Sequence, residues 1–360
     1  MDALKAARAA ALDTKESALS GVLAALSQRA ASHFHVFAQA ADAAATLDAL
    51  ASLACASFEM AASGPVCTPL LLPLPDAASA PTFTALQLRH PCAAVMSGIG
   101  GASSAFVPND VALGGPSAAP LLLLTGPNMG GKSTLLRQTC LAALLAHIGA
   151  DVPAASLTLS PIDALFVRMG ARDDLAGGRS TFAVELMEAG AMLRRATRHS
   201  LVALDELGRG TATHDGAAIA HAVLYHLAKG PHPRALFSTH YHEMSASARA
   251  LGTGTVALAH MGCQVSPATA STPEKVTFLY RLVPGACPKS YGVNVARLAG
   301  LPAHVLAVAA AKAAELEAQS VDANAPLNAE EMAALQRALQ AVHMGDVAGA
   351  CEAARAALGM

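Results

Sequence analysis

The run Leu-Leu-Leu-Leu-Thr-Gly-Pro-Asn-Met-Gly-Gly-Lys-Ser-Thr, residues 121–134, constrains this chain more than any other stretch. Four consecutive leucines suit a strand buried on both faces, as in a parallel sheet. Gly126 ends that strand, and Gly126-x-x-x-x-Gly131-Lys132-Ser133 has the spacing of a phosphate-binding loop. Glycines so placed let successive backbone N–H groups point at phosphate oxygens. An apolar helix predicted over Leu135–Ile148 brings its positive end to the same place. Lys132 can then reach the β- and γ-phosphates, and the Ser133 hydroxyl can ligate Mg²⁺. A chance glycine-rich turn would lack the flanking strand and helix, so the stretch predicts binding of a nucleoside triphosphate.

Length and composition set the frame for that loop. A chain of 360 residues can bury a sizeable core in one large or two ordinary domains. Lys plus Arg (24) nearly balance Asp plus Glu (26), so no global basic charge advertises nucleic acid. Seven scattered cysteines with no Cys-x-x-Cys pair suggest reduced thiols of the cytosol or nucleus rather than a disulfide framework or zinc site. No uncharged run of about 18 residues is free of Pro or Gly, which predicts no membrane span. Asp2 and Lys5 at the start leave no apolar signal-peptide core.

Read in order, residues 1–60 are helical: Leu19, Val22, Leu23 and Leu26 fall at i, i+3, i+4 and i+7, and Leu47, Leu50 and Leu53 stripe a second helix. Such stripes are ordinarily core packing. A Pro/Ser-rich loop follows Gly64-Pro65, then a strand over Thr82–Leu88 and glycine-rich loops either side of Phe106–Asp110. Beyond the phosphate loop, strands are predicted over Ile162–Val167, from Ser200 to Asp205, and over Arg234–Thr239, alternating with helices after Ser180 and over Asp215–Leu227. That alternation predicts an α/β fold with a mostly parallel sheet flanked by helices. Extended segments Val256–Val265 and Val276–Val283 lie beside it, and Pro302 opens a helix to about Gln319. Asn328 with Glu331 starts a C-terminal helical hairpin whose apolar seam needs a partner surface.

A second cluster carries chemistry. Asp205-Glu206 closes an apolar strand, the arrangement in which the first carboxylate holds Mg²⁺ and the second polarises the attacking water. Two surface acids at a strand end would look the same in isolation; beside a phosphate loop they do not. His240, ending the next strand, could sense the γ-phosphate or orient that water, although a lone histidine there is more often structural. His33-x-His35 and His240-x-His242 find no further ligands, so no metal other than Mg²⁺ is expected. Ser180 at a helix N-terminus is either a simple cap or an anion-binding position.

Glu206-Leu-Gly-Arg-Gly-Thr-Ala-Thr-His-Asp-Gly216, together with the loop at 125–134, Gly177-Gly-Arg-Ser-Thr-Phe182 and Phe237-Ser-Thr-His-Tyr-His242, resembles the ATPase domain of the MutS family of DNA mismatch repair proteins. The run from Pro284 to Pro302 is similar to the sixth of the eukaryotic homologues, and Gly64–Cys67, Arg89–Cys92 and Phe106–Asp110 agree with it. The resemblance implies an ABC-type P-loop NTPase over residues 63–319, preceded by the helical end of a lever region over 1–62 and followed by a dimerisation hairpin over 320–360. It implies ATP and Mg²⁺ as cofactors, with Gly126, Pro127, Asn128, Met129, Gly130, Gly131, Lys132, Ser133 and Thr134 on the nucleotide and Ser133 and Asp205 on the metal. Lys132, Glu206 and His240 would be catalytic, His240 as a switch. Ser180 would reach the γ-phosphate bound by a partner chain, and Phe106 and Tyr280 would flank the adenine. A second MutS homologue is the implied heterodimer partner, mismatched double-stranded DNA the implied target of the full assembly, and the nucleus the implied compartment.

The amino-terminal mismatch-reading domain of such proteins has no counterpart in these residues, so the sequence is read either as a fragment of such a protein or as a short form that hydrolyses ATP and pairs without itself reading a mismatch. Arg179 follows the bacterial pattern rather than that of the sixth homologue. Two other readings stand beside this one. A MutS branch acting on branched recombination DNA would share the loop, although Gly285–Lys289 speaks for the repair type. An ABC transporter subunit would share Leu175-Ala-Gly-Gly-Arg179, although the Gly208–Gly216 run does not suit it.

Overall fold

A computed structural model of the chain describes residues 1–76, 79–93, 106–170, 181–266, 275–287 and 291–323. The chain divides into two compact units, 1–290 and 291–360. The first opens with helices α1 (Asp2–Ser32) and α2 (Phe34–Ala61), followed by strands β1 (Leu70–Leu71), β2 (Thr82–Leu88), β3 (Asn109–Gly114) and β4 (Leu121–Thr125). Next come α3 (Lys132–His147), β5 (Ser156–Leu159), β6 (Leu165–Arg168), α4 (Thr181–Arg195), β7 (Leu201–Asp205), α5 (Thr213–Lys229) and β8 (Arg234–Ser238). The unit ends with α6 (Met244–Leu251), β9 (Val256–Ser266) and β10 (Lys275–Pro284). Within the second unit, α7 (Gly292–Leu298) and α8 (Ala303–Ala323) are described, and the hairpin expected from Asn328 onward lies outside the described residues.

Six strands form the main sheet in the order β10-β9-β4-β8-β7-β6, parallel from β9 to β6, with only β10 antiparallel at the edge. The α/β expectation with a mostly parallel sheet therefore matches. β4 sits between β9 and β8 and is buried along its whole length. Its leucines serve both faces: Leu122 and Leu124 join Phe83, Leu113, Leu136 and Leu236 in one core, and Leu121 and Leu123 join Val202, Leu224, Phe237 and Val256 in the other. A run of four leucines is what a strand covered on both sides requires.

A second sheet was not anticipated. Its order is β1-β5-β2-β3, and β3 occupies residues read from the sequence as the end of an ordered stretch and the start of a loop. The predicted strand at Ile162–Val167 is likewise displaced, to Leu165–Arg168, with β5 ahead of it in the small sheet.

The helical reading of the first 60 residues holds, but the expected core packing does not. Leu19, Val22, Leu23 and Leu26 are 53–66% exposed, and Leu47 and Leu50 are 68% and 59% exposed. Helical spacing dictates that apolar side chains share a face; it does not supply the element that covers it. By length and composition α2 could also cross a membrane, although charged residues interrupt its apolar run. Asp42 and Asp48 lie within it, and a carboxylate at the centre of a bilayer helix costs about 2.5–3.5 kcal/mol.

Arg234, the first residue of β8, ties the two sheets together. Its guanidinium is only 1% exposed and donates to the carbonyls of Thr82 (3.0 Å), Ser160 (2.8 Å), Pro161 (3.1 Å) and His199 (2.5 Å). Burial lowers its pKa to about 10, which still leaves it charged at neutral pH. Arg234→Met should therefore lower folding stability by about 3 kcal/mol or more, because one substitution removes four hydrogen bonds from a buried guanidinium, and the buried Ser160 carbonyl is among the acceptors that lose it. Arg234→Lys should recover only part of this, since a point ammonium cannot span the fork. Chemical denaturation of the three proteins measures the difference, and an unchanged midpoint in the Met variant would contradict the clasp.

Candidate functional site

Parallel pairing sets the ends of β4, β8 and β7 side by side on one edge of the main sheet, the edge at which open α/β sheets bind ligands. β4 delivers the loop at 126–131, β7 delivers Asp205 and Glu206, and β8 delivers Thr239 and His240. The strands are stitched where they end. Thr239 N donates to Leu124 O at 3.0 Å, Glu206 N donates to Ser238 O at 3.1 Å, and the Ser238 hydroxyl donates to the Asp205 carboxylate.

The loop turns by leaving the right-handed region. Met129 has φ +64° and Gly131, which precedes the first residue of α3, has φ +100°. A methionine in that region is strained, and strain of this kind gathers at ligand sites. Gly126, Pro127 and Gly130 are buried, Ser133 and Thr134 are half-buried, and Asn128 and Met129 are exposed at the tip. Lys132 is only 4% exposed, and its ammonium donates to the carbonyls of Gly126 (2.7 Å) and Pro127 (3.0 Å) within its own loop. Desolvation pulls its pKa down, opposed by the nearby Glu206 and Asp205 carboxylates. A buried cation held by two carbonyls and facing two carboxylates can exchange those partners for the oxygens of a phosphate chain.

Glu206 adopts φ +56°, also rare for a residue with a side chain. Both its oxygens are occupied: Oε1 bonds His240 Nε2, and Oε2 takes Arg209 Nη1 at 2.5 Å. The His240 hydrogen bond is the main reason its pKa falls to about 2; the charges of His240 and Arg209 add to this against the cost of burial. The following turn is bolted on two sides. The buried Glu185 of α4 accepts from Gly208 N at 3.0 Å, and the Tyr241 hydroxyl donates to Gly208 O at 3.0 Å. Gly208 has φ +92°, and a Cβ on it would run into the Gly216 carbonyl. Arg209, Glu185 and Tyr241 were not singled out from sequence. Arg209 and Tyr241 lie inside quoted motifs, which was the only signal available.

Lys132, Asp205, Glu206 and His240 are thus brought together at one sheet edge. Tyr280, 46% exposed with φ +54°, lies beside the loop, where a Cβ on Gly131 would stand 3.5 Å from its ring. Phe106 is half-buried just before β3. Ser180, at the position just before α4, lies outside the described residues, as does Arg179. The Ser133 hydroxyl and the Asp205 carboxylate are oxygen donors, the type that would suit a hard ion such as Mg²⁺. Among the described residues no group of three His, Cys, Asp or Glu could hold another metal.

The chain matches the profile of MutS domain V over residues 122–317. It is 51% identical over 304 residues to the DNA mismatch repair protein MSH6 of Arabidopsis thaliana, covering 84% of this chain and 22% of that protein. It is 46% identical over 281 residues to the human DNA mismatch repair protein Msh6, covering 76% of this chain and 20% of that one. It is also 46% identical over 292 residues to the DNA mismatch repair protein MutS of Anaeromyxobacter dehalogenans, covering 79% and 30%. The chain therefore spans between a fifth and a third of the length of these relatives. The profile match sets aside the transporter reading of Leu175–Arg179.

The depressed Glu206 carboxyl has a direct consequence for stability. Because its pKa is lowered from 4.5 to about 2, the ionised group stabilises the fold fully above pH 4.5 and loses that contribution as pH falls toward 2. Denaturation followed across that window should show wild type losing more stability than Glu206→Gln, which has no carboxylate to protonate. Equal losses in the two proteins would contradict the His240 and Arg209 contacts.

Proposed function

This chain belongs to the MutS family, and from that premise we propose that it is the ATPase module of a DNA mismatch repair protein, an ABC-type domain over residues 63–319. The observation that most supports the reading is the buried Lys132 ammonium on its own loop carbonyls, facing Asp205 and Glu206. A phosphate chain entering the loop takes over the Lys132 ammonium from Gly126 O and Pro127 O, while loop N–H groups and the α3 N-terminus meet the remaining oxygens. Ser133 and Asp205 would hold Mg²⁺, which neutralises charge on the phosphates.

Glu206 then receives the proton of the attacking water. In the structure its two oxygens are taken by His240 and Arg209, so turnover requires at least one of these contacts to open. A carboxylate freed from them regains basicity, and His240 becomes available to orient the water or sense the γ-phosphate. Phe106 and Tyr280 flank the adenine, and Asn128 contributes to nucleotide coordination. Ser180 completes the site of a second MutS homologue, so each active site is shared between two chains. Residues 1–62 form the end of a lever region, and 320–360 a dimerisation hairpin. Within a nuclear heterodimer on mismatched double-stranded DNA, ATP binding and hydrolysis drive the switching of a DNA clamp.

Two variants test the assignment. Glu206→Gln should retain ATP affinity while turnover falls by about 100-fold or more, as for loss of a general base. Lys132→Ala should weaken ATP binding itself. Unchanged hydrolysis in the Glu206 variant, or unchanged affinity in the Lys132 variant, would refute the assigned roles.

A further inference from the structure

We infer that Asn109 positions the base subsite, fixing both aromatic walls through one buried carboxamide; the inference rests on the reading of Phe106 and Tyr280 as base-flanking. The pairing of β9 with β10 breaks beside the phosphate loop. Phe278 pairs with Cys263 and Leu282 with Met261, so Leu279, Tyr280 and Arg281 stand opposite Gly262 alone. Such a bulge re-aims a side chain. Here it puts Tyr280 in the left-handed region at φ +54°, with its ring against Gly131.

Nothing in a tyrosine favours that backbone. Asn109 supplies the reason it persists. From the first position of β3 its Nδ2 donates to Tyr280 O at 2.9 Å, and its Oδ1 accepts from Leu282 N at 2.6 Å, closing the bulge from both sides. The same Nδ2 lies 3.4 Å from Val107 O, the carbonyl next to Phe106. Asn109 itself is only 8% exposed, so its carboxamide is largely shielded from water, and leaving it unpartnered is costly. One side chain thus ties the segment that carries Phe106 to the bulge that carries Tyr280. A stacking site for a purine needs two rings held at a fixed spacing, and carboxamide bonds to backbone on both sides provide it.

The neighbouring residue behaves in the same way elsewhere. Asp110 Oδ1 accepts from Gln87 N at 2.7 Å, where β2 carries its own irregularity between Ala85 and Leu88 and Gln87 has φ +49°. The Asn-Asp pair at the start of β3 therefore holds two irregular strand segments, and the one under Asn109 faces the phosphate loop.

The test compares Mg-ATP with inorganic tripolyphosphate, which fills the phosphate loop but has no base, in equilibrium binding to the full chain. Asn109→Ala should weaken ATP by about tenfold, the scale of one lost base–aromatic stack, and leave tripolyphosphate unchanged. Retained tripolyphosphate binding also reports that the variant is folded. Tyr280→Ala should do the same, and adding Asn109→Ala to it should cost clearly less than Asn109→Ala costs alone, as expected if part of the Asn109 effect runs through Tyr280. Equal weakening of both ligands, or losses that simply multiply in the double variant, would overturn the positioning role. A wild-type preference for ATP that Asn109→Ala leaves intact would overturn it too. Wild type binding both ligands equally would instead overturn the base subsite on which the inference rests.

Discussion

A positive charge held almost out of water at the mouth of β4 is the interaction on which this site depends. Burying an ammonium is unfavourable unless partners replace its hydration, and Lys132 finds them in two carbonyls of its own loop, with Asp205 and Glu206 acting from the neighbouring strand end. The arrangement needs everything around it. β4 must be buried on both faces to bring the loop to the middle of the sheet, and β7 must end level with it so that the carboxylates face the cation. The carbonyl partners are weaker than phosphate oxygens would be, so the loop rests in a state that an anion can improve.

Around that charge, irregular backbone gathers where strands end and at the β10 bulge. Met129, Glu206 and Tyr280 all take positive φ, and Glu206 and Tyr280 are braced by hydrogen bonds from their surroundings rather than by their own preference. Glu206 is held by its N–H on Ser238 and by His240 and Arg209 on its carboxylate, and Gly208 two residues on is fastened by Glu185 and Tyr241. Strain of about 1–3 kcal/mol per residue persists only when neighbours over-determine the conformation. Far from the loop, the buried Arg234 does related work with four carbonyls, joining the main sheet to the segments that carry β2 and β5.

Much of this was legible in the residues. Leu121–Leu124 announced a doubly covered strand, the glycine spacing announced the loop, and Asp205-Glu206 after an apolar run announced the opposing carboxylates. These signals are local, since each needs only a dozen consecutive residues. The small sheet was not legible, because β1 is two residues long and β3 pairs with β2 across an intervening glycine-rich stretch. Asn109 gave no signal of its own: its partners Tyr280 and Leu282 are about 170 residues away, and only the fold brings them near. The stripes of α1 and α2 were read correctly as helix and wrongly as core, because periodicity names a face and not its cover. Glu206 was found by motif, yet the double occupation of its carboxylate by His240 and Arg209 came only from the folded chain.

A crystal structure of the chain with Mg²⁺ and a non-hydrolysable ATP analogue tests the central claim most directly. The account predicts Lys132 Nζ within hydrogen-bond distance of phosphate oxygens, with its bonds to Gly126 O and Pro127 O broken and the adenine ring stacked at Tyr280. A nucleotide bound elsewhere, or Lys132 still seated on its loop carbonyls with the analogue in place, would contradict it.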